Sequence, residues 1–393
     1  MANEKIKILE AIDSYYPAID GPINVVTNYA SNLSKNEVCS VAAPAARKKD
    51  HYVDKFDFKV FRCRSISGPE GYRSPVPFFD RKFKKAIMNE KFDIIHVHSP
   101  FTMGKFLIKI AKKQHIPVVL TLHTQYKEDF KRVFKNFKPF VWIAMKFIMS
   151  TYNKAYAVWT VNDSSVKILR EYGYKGEVDV VRNGTNFKYP GNAEELIQRI
   201  NKLHNLEGQK NVFLFVGRVS FYKNITLMAQ ALKILKEQGE DFKMIIVGGG
   251  FDTEAYKKQV HELDLDDKFI FAGRIADREL LQAYYLRSDL FLFPSTFDTS
   301  SLSPIEAAAH KLSSLLIEGS YTAENIVDNQ NGFLSKETPE DYAAKIKEII
   351  HNPKLLEDVG NEAYRNLYRS WEMVTQEVDK KYKEVIEKYR KNK

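Results

Sequence analysis

Residues 293–312 read FPSTFDTSSLSPIEAAAHKL. The run SDLFLF that leads into them is apolar and of strand type, and EAAAHKL at their end is built of helix formers. Between the two lies a short polar loop that carries Asp298 at its start, with Glu306 just inside the helix, eight positions on. A buried strand that ends in a polar loop and restarts as a helix is the repeating unit of a parallel, doubly wound sheet.

Working outward, the same unit recurs along the chain. KIKILEAI, EVCSVAAP, FKVFRC, DIIHVH, PVVLTL, AYAVWTV and VDVV read as strands in the first half, rich in β-branched residues. GPINVVTNYASNLS, RKFKKAIMNE and GKFLIKIAKKQH are helical patterns between them. The second half restarts with NVFLFVG, FKMIIVG, KFIFAG, DLFLFPS and SSLLIEG. RNGTNFKYPGNAEE, rich in Gly and Asn, marks a boundary near 183–192. The expected organisation is a Rossmann-like domain over residues 1–185 and a second over 190–370. Residues 371–393 form a charged amphipathic helix expected to pack back on the first domain. A length of 393 residues fits two such domains.

Composition narrows the class. Hydrophobic residues at 44% and charged residues at 28% are those of a soluble globular chain. MANEKIKILEAI mixes charge into its apolar run, unlike a signal peptide. No apolar run reaches the roughly 20 residues of a membrane span. Cys39 and Cys63 lack metal-ligand spacing and read as free thiols in a reducing compartment, with one disulfide as the alternative. Charge is unevenly spread: residues 1–190 carry 32 Lys+Arg against 18 Asp+Glu, leaving 28 against 32 for the rest. The basic excess therefore lies in the first half, where it calls for an anionic partner.

Ligands of doubly wound sheets bind at the carboxyl ends of the strands, so residues just past strands are the candidates. Arg218 and Lys223 follow NVFLFVG, one suited to forked and one to point-like contact with a diphosphate; each alone could be a solvated charge. Gly248–Gly250 could cradle phosphate or only turn the chain. There is no P-loop pattern. His96 and His98 alternate along DIIHVH, where a core histidine is the simpler reading. Histidines and acids do not gather at metal-ligand spacing, so no metal is expected. Ser303-Pro304-Ile305-Glu306 has the form of a capping box, with Ser303 as N-cap. That would explain Glu306 without a ligand, but not Asp298 or the small residues Thr299, Ser300 and Ser301.

Taken in order, these segments resemble the retaining GT-B glycosyltransferases of family four. The resemblance runs through the DGP loop, DIIHVHSP, TLHTQY, VRNGTN, VGRVSFYKN, IVGGG, FAGRIADRELLQAYYLRSDLFLFPS, the paired-acid stretch PSTFDTSSLSPIEA and NGFL. It implies two Rossmann-like domains facing a cleft and a nucleotide-sugar substrate, with no tightly bound cofactor and no essential metal. Arg218 and Lys223 would hold and stabilise the leaving diphosphate, helped by backbone N–H groups at Ser301 and Leu302, by Gly249 and by the Gly21 loop. Glu306 would accept from the ribose hydroxyls, Asp298 and Ser300 would lie at the donor sugar, and the backbone near Ile275 would read the base. His123 would sit beside the sugar and phosphate, with His98 and Tyr126 on the acceptor side. Two departures stand out: Asp298 replaces the family's usual Glu, and Thr299 and Ser301 replace its glycines, as in a bacterial branch.

The acceptor is argued from the basic half. Residues 127–154 hold seven Lys/Arg, two acids and seven aromatic residues. That mixture suits an element lying in an anionic membrane surface; a core helix with one basic face is the alternative. The rings are too clustered and apolar for a nucleic-acid platform. The expectation is a cytoplasmic, peripherally membrane-bound transferase that moves glucose from UDP-glucose to a lipid or lipid-linked glycan. A GT-B enzyme acting on a soluble acceptor, an epimerase, and a non-catalytic nucleotide-binding protein are the alternatives.

Overall fold

The computed structural model describes residues 5–18, 20–68 and 73–392. The chain divides into two compact units. One runs to Asn183 and is completed by the chain from Trp371 onward; the other is Gly184–Ser370.

The first unit contains β1 (Lys7–Ala11), β2 (Val38–Pro44), β3 (Lys59–Cys63), β4 (Ser65–Ser67), β5 (Arg73–Pro75), β6 (Ile94–Val97), β7 (Val118–Leu122), β8 (Ala157–Thr160) and β9 (Asp179–Val180). Seven of these form one sheet in the order β3-β2-β1-β6-β7-β8-β9. Every pairing in it is parallel. β4 and β5 stand apart as a short antiparallel pair. Because helices cover both faces, β6 and β7 are buried at every residue, which is why they read as unbroken apolar runs. The chain lays down β1, β2 and β3 outward and then returns to the other side of β1 with β6. Loops after β1 and β6 therefore diverge and leave a crevice between them.

The second unit repeats the plan with β10 (Val212–Val216), β11 (Lys243–Val247), β12 (Phe269–Gly273), β13 (Leu290–Phe293), β14 (Ser314–Ile317) and β15 (Phe333–Ser335). Their order is β12-β11-β10-β13-β14-β15, all parallel, with the reversal between β10 and β13. Phe213, Phe215, Phe291 and Phe293 from those two strands are fully buried. Each contributes about 1.5–3 kcal/mol by leaving water.

Helix Trp371–Lys391 packs on helix Gly21–Leu33 of the first unit. Its buried residues Trp371, Val374, Val378, Tyr382 and Ile386 fall at helical spacing, and the Trp371 ring meets Tyr29 edge-on at 5.9 Å.

Candidate functional site

In the second unit, the residues singled out lie past the carboxyl ends of adjacent parallel strands. Arg218 and Lys223 follow β10, Gly249 follows β11, Ile275 follows β12, and Asp298 to Glu306 follow β13. β10 and β13 flank the reversal, so the loops bearing Lys223 and Asp298 face each other. The two side chains form a bidentate ion pair, Lys223 Nζ to Oδ1 and Oδ2 of Asp298 at 2.6 and 2.7 Å. Only 10% and 19% of the side chains are exposed. The two groups expected at the diphosphate and at the sugar are thus bonded to one another in the structure.

The capping box is not what forms. The helix runs Leu302–Ala309 with Ser301 as N-cap, and the Ser301 side chain makes no cap hydrogen bond. Pro304 then occupies the third helical position, and the Glu306 carboxylate points to Tyr285, accepting from its hydroxyl at 2.9 Å. Burial pushes the Glu306 carboxyl above its ordinary range, offset in part by the Tyr285 bond and by Arg278. Tyr285 stacks flat on His310, whose Nδ1 donates to the Glu306 carbonyl at 2.7 Å. With no side-chain cap, the first turn presents its N–H groups and the positive end of the dipole beside the Ser300–Leu302 backbone.

The glycine run has a packing cause. A Cβ on Gly248 would stand 1.8 Å from the Gly217 carbonyl, and one on Gly250 would stand 2.0 Å from that of Val219. Gly249 would meet only the flexible Arg274 side chain at 3.2 Å. Two of the three glycines therefore let the loops after β10 and β11 touch. Ile275 is partly buried against the core.

In the first unit, a cavity of about 260 Å³ opens at the β1/β6 reversal. It brings together His98, His123 and Tyr126 with Asp13 and Asp20. Gly21 starts the helix Gly21–Leu33, whose N-cap Asp20 accepts from the Ile23 N–H at 2.9 Å. A Cβ on Gly21 would meet nothing within 4 Å. Asp13 accepts from Ser99 Oγ at 2.7 Å, from Thr102 Oγ1 at 3.1 Å and from the Met103 N–H at 3.0 Å, and burial pushes its carboxyl up to about 6.

Behind this cavity lies a buried chain that the sequence did not disclose. His123 Nε2 is 2.9 Å from His98 Nδ1, and His98 Nε2 is 2.7 Å from Glu10 Oε2. Tyr382 donates to Glu10 Oε1 at 2.8 Å and also meets His96 Nδ1, whose Nε2 lies 2.6 Å from Thr121 Oγ1. Burial pushes Glu10 up to about 8 and His98 down to about 3, and holds His96 and His123 well below their ordinary value. A neutral set satisfies every bond in one direction: Thr121 gives to His96, His96 to Tyr382, Tyr382 to Glu10, protonated Glu10 to His98, and His98 to His123. This fixes which nitrogen of His123 carries its proton. The expectation that histidines and acids do not gather needs correction, since ligand atoms of Glu10, His96 and His98 lie within 4.8 Å of one another. A cation placed there would have to displace the proton that Glu10 and His98 share. Spacing in sequence does not mark Glu10 or Tyr382, because only the fold brings them to the histidines.

Two family models match the chain. Residues 19–189 match Glycosyltransferase Family 4, and residues 197–366 match Glycosyl transferases group 1. The chain carries these two glycosyltransferase domains in the GT-B arrangement of parallel α/β units, and it is a glycosyltransferase. It is 24% identical over 371 residues to the alpha-monoglucosyldiacylglycerol synthase of Acholeplasma laidlawii, covering 89% of this chain and 90% of that one. The enzyme of the same name from Streptococcus pneumoniae is 25% identical over 365 residues, covering 89% and 80%. The crystal structure of Anabaena HepE in complex with UDP matches with a TM-score of 0.76 at 18% identity, covering 96% of this chain and 100% of that one.

Proposed function

We propose that the protein transfers glucose from UDP-glucose to a lipid acceptor with retention at the anomeric carbon, working at the cytoplasmic face of a membrane. The observation that carries the lipid acceptor is the outer face of helices Tyr126–Val133 and Lys138–Tyr152. Val133, Phe137, Phe140, Trp142, Ile143 and Phe147 are 40–59% exposed there. Val141, Ile148 and Tyr152 turn inward instead, so the helix has an apolar stripe on each side. A core helix with a merely basic outer face would not show these rings to water. Lys146 sits over the Trp142 ring at 3.8 Å and Lys105 over Phe147 at 3.2 Å, with Lys131, Lys135 and Lys138 nearby in sequence. Apolar side chains ringed by ammonium groups suit the boundary of an anionic bilayer. Among the described residues no helix is long and apolar enough to cross a membrane.

The donor reading rests on the second unit. Arg218 and Lys223 would take the diphosphate with the N–H groups at Ser301 and Leu302, Glu306 the ribose hydroxyls, and Asp298 the sugar hydroxyls. The acceptor oxygen would bond to the anomeric carbon as the bond to the β-phosphate oxygen breaks. UDP would leave and take the hydroxyl proton on the same face. Cations and N–H groups gathered around the departing phosphate would lower the barrier to that step. The two relatives named for alpha-monoglucosyldiacylglycerol synthesis support glucose and a lipid product.

The test offers UDP-glucose, UDP-galactose and GDP-mannose to the protein with anionic vesicles that contain diacylglycerol. The expected product is an α-glucosyl lipid formed from UDP-glucose. Equal transfer to soluble sugars without vesicles would replace the lipid reading with a soluble-acceptor one.

A further inference from the structure

The cavity of the first unit and its exposed apolar face are joined by a run of aromatic rings. Phe101 and Tyr126 form one wall of the cavity, with ring centroids 5.5 Å apart. From Phe101 the next ring is Phe130 at 6.3 Å, then Phe134 at 6.1 Å, then Phe140 at 5.9 Å, and Phe137 lies 4.8 Å further on. Tyr126, Phe130 and Phe134 recur every fourth residue, which sets them along one side of helix Tyr126–Val133 and its C-cap. Phe101, Phe130 and Phe134 are half-buried, and Phe137 and Phe140 are exposed. A strip that served only the core would be closed along its length. This one stays partly open from the cavity wall to the outer face.

The polar end has its own chemistry. Asp13 and Asp20 both line the cavity. Arg73 lines it too, but Nε and Nη2 go to Ser65 at 3.1 and 2.5 Å and Nη1 goes to Ser67 at 3.2 Å. The guanidinium is thus turned to β4, and the cavity offers carboxylates and imidazole. Carboxylates accept from hydroxyl groups and repel an anionic head.

We propose that this cavity holds the hydroxyl-bearing head of the acceptor, and that the rings from Phe101 through Phe130 and Phe134 to Phe140 carry its acyl chain. The acceptor is then an uncharged lipid alcohol, although the surface that presents it is anionic. The inference rests on the lipid-acceptor reading above and narrows it to a head-group charge and a path.

Photolabelling without any nucleotide-sugar tests it. The probe is a diacylglycerol with a diazirine in one acyl chain, carried in vesicles of phosphatidylcholine and phosphatidylglycerol. Label should concentrate on residues 101 and 126–140. Excess diacylglycerol should compete for it, and phosphatidic acid should not. Phe134→Ala should lower the label by roughly fivefold, the scale of one lost ring contact, with vesicle flotation unchanged. Asp20→Asn keeps a good N-cap for helix Gly21–Leu33 and should also lower the label, which covers the case of a misfolded Phe134 variant. Label confined to the exposed rings of Lys138–Tyr152, or equal competition by phosphatidic acid, would overturn the proposal. Because no donor is present, that failure is separate from a failure to use UDP-glucose.

Discussion

Lys223 and Asp298 show how much one side chain can depend on another. A largely buried ammonium needs a partner, and Asp298 supplies both oxygens. A diphosphate arriving at Lys223 would compete with Asp298, releasing the carboxylate toward sugar hydroxyls. Asp298→Asn removes that competitor, so its UDP affinity should be unchanged or tighter while transfer falls by about 10²-fold. Glu306 should do the opposite. Gln at that position still accepts from the Tyr285 hydroxyl, so folding stability should hold, but the charge proposed to meet the ribose hydroxyls is lost. UDP affinity should then fall by about 1–3 kcal/mol. Calorimetric UDP titration beside donor turnover separates the two variants, and an unchanged affinity in Glu306→Gln would leave Glu306 as a brace for Tyr285 alone.

At the scale of elements, strands such as β6, β7, β10 and β13, buried at every residue, are legible because their short apolar runs are rich in β-branched or aromatic residues and end in polar or turn residues. The seven strand segments read in the first half are the seven strands of its sheet, and the five read in the second half are five of its six. The three-residue pairs β4 and β5, Ser-rich and half-exposed, carry no such run, and β15 is equally short. The start of helix Leu302–Ala309 departs from the expected cap for a different reason. Ser303-Pro304 fits a cap by residue type, yet the turn closes two residues earlier. Segment 127–154 gave its composition readily but not its two faces, because rings fill both. That exposed face makes its own prediction. Trp142→Ser with Ile143→Ser should cut binding to anionic vesicles by roughly tenfold or more, because each ring or branched chain gives up about 1.5–3 kcal/mol of burial. Chemical stability should move by only about 0.5 kcal/mol, as at other exposed sites. Binding by the wild type should also weaken as salt rises. Undiminished flotation of the double variant would assign the face to something other than lipid.

At the scale of the whole molecule, the chain's beginning and end meet behind the first unit's cavity. Glu10 and Tyr382, 372 positions apart, share one hydrogen bond, and helix Trp371–Lys391 also ties Lys383 to Glu37 and Arg390 to Asp93. Spacing in sequence cannot announce such a contact; only the return of the last helix to the first unit creates it. Its consequence is a pH dependence. Glu10 keeps its proton up to about 8 in the folded chain against an ordinary 4.5, so between those values the unfolded chain has already lost a proton that the folded chain holds. Stability must therefore fall as pH rises through that window. His98 acts on the other side: its folded value of about 3 lies below 6.5, so its contribution is present above 6.5 and is lost as pH falls toward 3. Glu10→Gln isolates the first effect, because the amide can donate to His98 Nε2 and accept from Tyr382 just as the protonated acid does. Urea unfolding from pH 5 to pH 8 should show the variant pulling ahead of the wild type as pH rises, by up to about 1.4 kcal/mol per unit. Parallel curves would mean that Glu10 is already ionised in the folded chain. The protons would then run the other way, from His123 to His98 to Glu10, and the nitrogen of His123 that faces His98 would carry its proton instead of accepting one.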